Sequence, residues 1–499
     1  MTLRGWEDAQ GQTTLECDDV IVGSGPGGAA TARVLAEAGR RVIVVEEGPK
    51  TSRFKPNMPH TMRYHMQEGG TMIALGSAAV AVAAGRGVGG GSLINSAICW
   101  RAPDHVLSGW TSVLQDDRFR PEVMGPIYHE VEGIIGAGPT RDEIAGENNR
   151  IVVRGAQALG LPGGLLNRNT PGCVGCGICN YGCPSGGKGS VDRNLLVLAR
   201  SAGATVQADV FVNEILIDGD RARGIRGVVR HPDSREPKGQ LTVRASRVIL
   251  AAGAVGTPRL IHTAGLAPRL GPAVGKGLHL HPGNGILGLC DHEVRMWSGA
   301  TQGAYYEDPA LPGVLPHTMT LPPGALLLAL GGVGLSAKEN LKLVNRICGC
   351  LVMVSDKGEG SVGVKSDGTA DLRYWFAPED LELLRLGMRR TVDVLLAGGA
   401  KQVLVPAAGA RWTSNPQEAY ATIDGASVTD YQLMYAAHPM ATCRMGADPS
   451  TSVINPTGEA HKLAGLYITD SSIFPTSLGV NPQLTTMALA TRIAQGLVA

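Results

Sequence analysis

Four cysteines in the middle of the chain are spaced like the ligands of a metal ion or an iron–sulfur cluster. They lie in the run CVGCGICNYGCP at residues 173–184, whose spacing is C-x2-C-x2-C-x3-C-P. Thiolates at this spacing hold iron–sulfur clusters, and the small residues between them would let the loop wrap around the cluster. The run therefore predicts a [4Fe-4S] or [3Fe-4S] cluster bound by Cys173, Cys176, Cys179 and Cys183.

Other interpretations of the cysteine run stay open. In proteins with two such clusters the fourth cysteine binds the second cluster, and this chain has one run, so a single cluster would need Cys183 to fold back, a remote thiol or a three-iron form. Four close thiolates also suit tetrahedral zinc, disulfides are disfavoured by a predicted cytoplasmic location, and the loop can be structural. The other cysteines are scattered and are predicted to be buried as small apolar residues: Cys17, Cys99, Cys290, Cys348, Cys350 and Cys443.

A glycine-rich turn near the N-terminus predicts a dinucleotide site. Residues 19–22 form an apolar strand that enters the run GSGPGG at residues 23–28, and a helix follows. Gly23 allows the sharp bend, Gly25 lets the backbone approach a pyrophosphate, and Gly28 permits close packing of helix on strand. Glu46 ends the next strand, where an acid accepts hydrogen bonds from a ribose diol and argues against a 2′-phosphate.

The elements that must position these residues are typical of an α/β protein. A strand at 20–22, a helix at 28–38 and a strand at 41–46 form one βαβ unit, whose unbroken apolar strands are expected to be buried. Residues 206–230 alternate like a hairpin, and residues 247–253 form another buried strand that ends in a glycine turn.

Changes in composition divide the chain into three regions. Residues 1–110, 191–289 and 436–499 carry the nucleotide-type motifs and predict one discontinuous cofactor-binding domain. Residues 111–190 predict a helical connection with the cysteine-rich loop. Residues 290–435 contain alternating segments and predict a second, sheet-containing lobe that binds the substrate.

Four ordered motifs resemble the glucose–methanol–choline (GMC) oxidoreductase family over nearly the full chain. The runs GRGVGGGSLINS at 85–96 and AGAVGTPRL at 252–260 are similar to the first and second family signatures. The runs HPMATCRMG at 438–446 and GVNPQLT at 479–485 look like the C-terminal pair that carries the catalytic residues. Residues 179–188 resemble a loop of the long-chain alcohol oxidases within this family.

The resemblance implies a Rossmann-like FAD-binding fold with an inserted substrate-binding lobe. Some members attach FAD through a histidine just before the asparagine of the first signature, and this chain has Ile94 there, so a non-covalent flavin is expected. Asp470 would accept a hydrogen bond from the ribityl chain, with a helix N-cap as the alternative role. Beyond the glycine turn and Glu46, the expected FAD-binding residues are Arg86, Gly90, Ser92, Asn95, Ala252, Gly253, Asp470 and Asn481.

The resemblance assigns catalysis to His438 and Asn481. Oxidation of an alcohol requires the hydroxyl proton to leave as hydride moves from carbon to flavin N5, and an imidazole suits the role of base. Asn481, which stands where some members have a second histidine, would hold the substrate oxygen through its amide. His279 and His281 lie two residues apart without an accompanying carboxylate, so a structural role is expected for them.

The expected activity is FAD-dependent oxidation of a CH–OH group of a small or apolar alcohol to the carbonyl. An apolar substrate is favoured by the candidate pocket residues Met66, Met72, Ile73 and 326–330. With a cluster, electrons would leave to an acceptor protein or quinone; without one, dioxygen would reoxidise the flavin. Two alternatives are a flavin-containing lyase of the same fold and an electron-transfer module that uses flavin and cluster.

Charge and hydropathy exclude other partners. The 45 basic and 44 acidic residues nearly balance, so no strong field favours nucleic acid or an anionic membrane. The uncharged, Gly- and Ala-rich stretch at residues 69–85 falls short of the ~20 apolar residues of a membrane span. A cytoplasmic protein without a transmembrane segment is expected, in which residues 324–330 form either an apolar lid or part of the core.

Overall fold

Two large β-sheets, a two-stranded sheet of Gly138–Pro139 and Asn167–Arg168, and the helices packed around them make up the computed structural model, which describes residues 2–331, 333–432 and 434–499. The helices are α1 Pro26–Glu37, α2 Met58–His65, α3 Asp104–Leu114, α4 Pro121–Ile135, α5 Glu147–Ala158, α6 Leu195–Ser201, α7 Gly253–Thr263, α8 Ala267–Leu270, α9 Pro323–Leu330, α10 Leu335–Leu343, α11 Pro378–Ala397, α12 Pro416–Gly425 and α13 Gln483–Val498. The strands are β1 Thr2–Arg4, β2 Gly11–Val22, β3 Val42–Val45, β4 Ile73–Gly76, β5 Val80–Val82, β6 Gly138–Pro139, β7 Gly163–Leu165, β8 Asn167–Arg168, β9 Thr205–Gln207, β10 Val210–Asp218, β11 Arg221–Arg230, β12 Pro237–Leu250, β13 Lys276–Leu278, β14 Gly283–Leu289, β15 Ala304–Tyr306, β16 Val314–Thr318, β17 Ile347–Val354, β18 Gly360–Val364, β19 Ala370–Tyr374, β20 Gln402–Leu404, β21 Tyr435–Ala436 and β22 Leu466–Ile468.

The first sheet contains the predicted βαβ unit. Its order is β1-β9-β3-β2-β12-β11-β10, and β22 pairs in parallel with the end of β12. β2 and β3 are parallel neighbours joined by α1, and every residue of β3 is buried. The unbroken apolar run therefore predicted a central parallel strand correctly.

A long strand joins the parallel and antiparallel parts of this sheet. β10 and β11 form the predicted hairpin, and β11 pairs antiparallel with the first part of β12. The last residues of β12, the predicted strand before Gly253, lie between β2 and β22 in parallel. α7 begins at Gly253, directly after this strand.

The second sheet draws its strands from all three predicted regions. Its order is β13-β18-β19-β4-β5-β21-β14-β17-β16-β15-β7, and β20 also pairs with β14. Residues 290–435 supply part of it, but β4 and β5 come from region 1–110, β7 from 111–190, and β13 and β14 from 191–289. The predicted lobe at 290–435 is thus incomplete, because strand pairing joins segments distant in sequence and a change of composition does not report it.

Helices bring the two ends of the chain together. α1 packs against α6 and against the C-terminal helix α13, and α4 contacts α13 as well. α4 and α5 form the predicted helical connection, which continues into an irregular cysteine-rich loop containing one short 3-10 turn, Cys179–Tyr181. No helix in the described ranges is both long and apolar enough to cross a bilayer.

Candidate active site

A cavity of about 610 Å³ is lined by residues of both sheets and unites most of the predicted site residues. Its size suits a cofactor and a small substrate. Met66 lines it, whereas Met72, Ile73 and residues 326–330 lie outside its lining. α9 instead buries Leu326 and leaves Leu328 80% exposed. The predicted site residues on the cavity wall are Gly23, Gly25, Glu46, Gly90, Ser92, Asn95, Ala252, Gly253, His438, Asp470 and Asn481.

The glycine turn has the tight backbone that its sequence predicts. Gly23 has φ +104°, and a Cβ there would lie 2.3 Å from the carbonyl oxygen of Ala251. A Cβ on Gly28 would lie 2.0 Å from the carbonyl oxygen of Gly23, so the helix packs closely on the strand. Gly25 precedes α1 without a side chain to cap it, which leaves the helix N-terminus facing the cavity. Such a terminus binds phosphate groups.

Glu46 is tied to the backbone of the glycine turn and of the first signature. Its carboxylate accepts hydrogen bonds from the amide and hydroxyl of Ser24 at 3.0 and 2.6 Å, from the Gly48 amide at 2.9 Å and from the Gly87 amide at 3.1 Å. Burial raises the pKa of this carboxyl, and the four bonds offset part of that rise. The bonds fill the acceptor positions of the carboxylate, so Glu46 organises the turn, and its ribose contact stays a prediction.

Arg86 lies behind the cavity wall and not on it. Its guanidinium is 2% exposed, and its Nε lies 3.5 Å from Oε1 of Glu47. Arg259 contacts the same carboxylate at 3.1 Å. Burial alone would raise the pKa of Glu47, but these arginines outweigh it and lower that pKa. Glu47 lines the cavity next to Glu46 and was not predicted.

Asp470 has the N-cap role that the sequence left as an alternative. Its Oδ1 accepts the Ser472 amide at 2.8 Å, and its Oδ2 accepts the Gly253 amide at 2.9 Å and the Thr257 hydroxyl at 2.5 Å. Burial raises the pKa of this carboxyl. Asp470 thereby joins the start of α7 to the segment after β22, beside the cavity.

His438 and Asn481 form a half-buried pair at the cavity. Nδ2 of Asn481 lies 3.1 Å from Nε2 of His438. Nδ1 of His438 and Oδ1 of Asn481 are buried and have no hydrogen-bond partner in the described residues. Burial first, and then the nearby His281 and His317, lower the pKa of His438 well below its usual value, so the ring is neutral near pH 7.

Two further imidazoles line the same cavity, His281 and His317. The His281 ring makes an edge contact with His438 at 5.4 Å between centroids, and its Nε2 accepts the Gly479 amide at 2.9 Å. Burial lowers the pKa of both rings to about 4. His281 was expected to be structural and His317 was missed. The sequence signal that could have marked His317 as a candidate was its position as a single histidine between the apolar residues Leu315 and Met319.

The first signature is joined to the C-terminal helix. Asn95 donates through Nδ2 to Oε1 of Gln483 at 2.6 Å, and Ser92 accepts the Val191 amide at 3.1 Å. Ile94 is buried at the cavity wall, and its hydrocarbon side chain has no atom that could bond covalently to a flavin. The segment that precedes Gln483 carries Asn481, so this contact fixes two signatures relative to each other.

The cysteine-rich loop is held by two buried cations. Lys188 donates through Nζ to the carbonyl oxygens of Leu93 at 2.8 Å, Asn95 at 3.1 Å and Cys179 at 2.9 Å. Arg168 donates to Sγ of Cys179 at 3.2 Å. Burial raises the pKa of the Cys179 thiol, but Arg168 and Lys188 outweigh it and lower that pKa.

A metal centre in this loop is not supported. Within residues 2–331, 333–432 and 434–499, no group of three or more His, Cys, Asp or Glu side chains is placed to hold a metal ion. The sulfurs have separate partners: Cys173 accepts the Gly175 amide at 3.4 Å, Cys179 accepts Arg168, and Cys183 accepts the Lys188 amide at 3.3 Å. The arrangement therefore does not support the predicted cluster at Cys173, Cys176, Cys179 and Cys183, and the loop packs against the first signature. The six other cysteines are buried, as predicted.

Comparison with known proteins defines the class and then the family. A family model described as FAD binding domain matches residues 16–84, so fold and site together define an FAD-binding oxidoreductase. Models described as GMC oxidoreductase match residues 62–283 and 356–490. An uncharacterized GMC-type oxidoreductase of Mycobacterium tuberculosis is 34% identical over 98% of this chain and 77% of its own length. The chain belongs to the GMC oxidoreductase family, as its motifs predicted.

Other relatives and solved structures agree with this assignment. A long-chain-alcohol oxidase of Arabidopsis thaliana is 28% identical over 98% of this chain and 67% of its own length. A cholesterol oxidase of Acinetobacter baumannii is 24% identical over 95% of this chain and 93% of its own length. The fold is similar to that of pyridoxine 4-oxidase from Mesorbium loti, with a TM-score of 0.75, 18% identity and coverage of 96% of this chain and 99% of that chain.

Proposed function

We propose that this protein oxidises the CH–OH group of an apolar alcohol to a carbonyl, with His438 as the base. The observation that carries the proposal is the His438–Asn481 pair, whose facing side-chain nitrogens lie 3.1 Å apart on the wall of the same cavity as the glycine turn. Relatives named long-chain-alcohol oxidase and cholesterol oxidase support an alcohol as substrate. Their oxidase names favour dioxygen as the electron acceptor.

The cavity wall fits a non-covalent FAD. The N-terminus of α1 at Gly25 would hold the pyrophosphate, and Gly253 begins a second helix at the wall. Gly90 packs against the backbone of Gly25, where a Cβ would lie 2.7 Å from Cα of Gly25. When bound, FAD supplies the hydride acceptor. Ile94 offers no atom for a covalent link, so retention of FAD depends on these backbone contacts.

His438 and Asn481 would divide the work on the hydroxyl group. A neutral His438 whose Nε2 accepts the Asn481 amide carries its proton on Nδ1. A substrate hydroxyl that enters between the two side chains takes over both contacts: it donates its proton to Nε2 and accepts a hydrogen bond from Nδ2 of Asn481. The pair thereby binds the oxygen and removes its proton, while the surrounding burial excludes water.

Anaerobic mixing with alcohols tests the proposal. We expect long-chain primary alcohols or a sterol to bleach the flavin of the purified protein. His438→Gln should slow flavin reduction by about 10²- to 10⁴-fold and leave the bound FAD unchanged, because His438 makes no contact with the glycine turn.

Three outcomes would contradict it. A near-normal rate of flavin reduction in His438→Gln would show that His438 is not the base. An unbleached flavin with release of an aldehyde from a cyanohydrin would indicate the lyase. Bleaching by a reduced protein partner and by none of the alcohols would indicate an electron-transfer module.

A further inference from the structure

His317 is a buried imidazole at the cavity that makes no hydrogen bond with the His438–Asn481 pair. It lies in β16, is 2% exposed and lines the cavity. Neither ring nitrogen has a hydrogen-bond partner among the residues described. A buried polar group without a partner costs about 1–3 kcal/mol, and because His317 lines the cavity a bound ligand can supply the missing partner.

The surroundings of His317 explain which partner it lacks. Residues alternate along β16, so Leu315, His317 and Met319 point to one face. Across the ladder, His317 pairs with Leu351 and Leu315 pairs with Met353 on β17. Met319, Leu351 and Met353 line the cavity with His317. One polar ring thus lies in an apolar face of the second sheet.

His317 and His438 approach the cavity from different parts of the fold. His438 follows β21 and begins the first of the two C-terminal motifs, whereas His317 lies on β16, near one end of the second sheet. The two rings are close enough for the charge of one to lower the pKa of the other. Burial keeps His317 neutral near pH 7, so its ring offers one donor and one acceptor and does not compete for the substrate proton.

We propose that His317 is a substrate-binding residue, whose ring nitrogen hydrogen-bonds the hydroxyl oxygen of an otherwise apolar alcohol held against Met319, Leu351 and Met353. This inference rests on the proposed alcohol oxidation. It deepens that function by assigning recognition of the hydroxyl group to the second sheet. A long-chain alcohol, whose one polar atom is the reacting oxygen, matches a face with one polar side chain.

A ligand pair that cannot react separates binding from catalysis. A tertiary alcohol with a long alkyl chain has a hydroxyl but no hydrogen on the carbinol carbon, and the matched alkane lacks the hydroxyl. Both are titrated into the FAD-loaded protein, and binding is followed by the change in flavin absorbance. We expect the wild type to prefer the alcohol by about tenfold, and His317→Leu to lose this preference.

A second histidine provides the matched control. His65 is also buried, also has both ring nitrogens without a partner in the described chain, and has its pKa lowered to about 4 by burial, but it packs on Phe54 and does not line the cavity. His65→Leu should keep the full preference for the alcohol. His317→Gln, which retains polar atoms, should keep most of it and covers the case in which His317→Leu does not fold.

Kinetics distinguish His317 from the base. His317→Leu should raise the substrate concentration for half-maximal flavin reduction about tenfold and change the limiting rate less. His438→Gln should instead lower the limiting rate strongly and change the half-maximal concentration less. The proposal is overturned if His317→Leu retains the preference, if His65→Leu loses it equally, or if the wild type shows none. Hydroxyl-dependent binding without bleaching by any primary alcohol would reject the oxidation while leaving this role of His317 standing.

Discussion

A methyl group at Gly27 should separate the two ends of the chain at the cofactor cavity. A Cβ on Gly27 would lie 1.9 Å from the carbonyl oxygen of Thr469 and 3.1 Å from Cα of Asp470. Ordinary contact begins at 3.4 Å, so the backbones must move apart by about 1.5 Å, because a clash between backbones cannot be relieved by a side-chain rotation.

The cost of Gly27→Ala follows from these contacts. Overpacking of this kind costs about 1–3 kcal/mol. The movement also breaks the 3.0 Å hydrogen bond between the hydroxyls of Thr31 and Thr469, which contributes about 1 kcal/mol. We expect the free energy of unfolding to fall by about 2–4 kcal/mol. Asp470 moves with this segment, so the protein should also lose most of its FAD.

Urea unfolding followed by circular dichroism, together with the flavin-to-protein absorbance ratio, measures both effects. Gly133 is the matched control: it is exposed in α4, and a Cβ there meets no atom of the described structure within 4 Å. Gly133→Ala should raise stability by about 0.5–1 kcal/mol and leave FAD content unchanged. A Gly27→Ala protein with wild-type stability and full FAD would refute the reasoning.

Two other substitutions test buried charges. Lys188→Met leaves three carbonyl oxygens without their donor, so we expect a loss of about 2–4 kcal/mol in urea unfolding and weaker FAD retention. Lys365→Met, at an exposed position, should change the free energy of unfolding by less than about 0.5 kcal/mol. Equal effects of the two substitutions would contradict this role of Lys188. Burial of Asp356 is outweighed by its hydrogen bonds and by His279 and His281, which lower its pKa from 3.8 to about 2. Because the folded pKa lies below the unfolded one, the carboxylate stabilises the fold above pH 4 and loses this effect between pH 4 and 2. Asp356→Asn should therefore remove about 2 kcal/mol of the pH-dependent change in unfolding free energy over that window, and an unchanged pH profile would contradict the assignment.

The βαβ unit of the first sheet was predicted well because short runs of neighbouring residues specify its strands and its turn. The apolar run of β3 and the glycine turn before α1 specify a buried parallel strand and a tight bend by residue type alone. Family motifs located His438 and Asn481, which the fold brings to 3.1 Å from each other. These features need neighbouring residues or a known motif, and both are readable from the chain.

Features that depend on contacts between segments far apart in the chain could not be predicted from the sequence. The partners of β14 are β17, β20 and β21, so its place in the second sheet could not be read from residues 283–289 alone. The spacing of the cysteines suggested a cluster, but Lys188 and Arg168 direct the loop to other contacts. His317 was missed because the sequence shows one histidine in an apolar strand but does not show that its side chain lines the cavity.

The contact between α1 and the segment after β22 has a consequence for biosynthesis. Thr31 and Thr469 are 438 positions apart, and the cavity wall next to them, which includes Asp470 and Asn481, is unfinished until the ribosome has made these later residues. A nascent chain can fold β2, α1 and β3 early, yet it has no enclosed place for a flavin. Enclosure of the cofactor must therefore follow synthesis of this segment, and any chain shortened before Thr469 would lack one wall of the cavity.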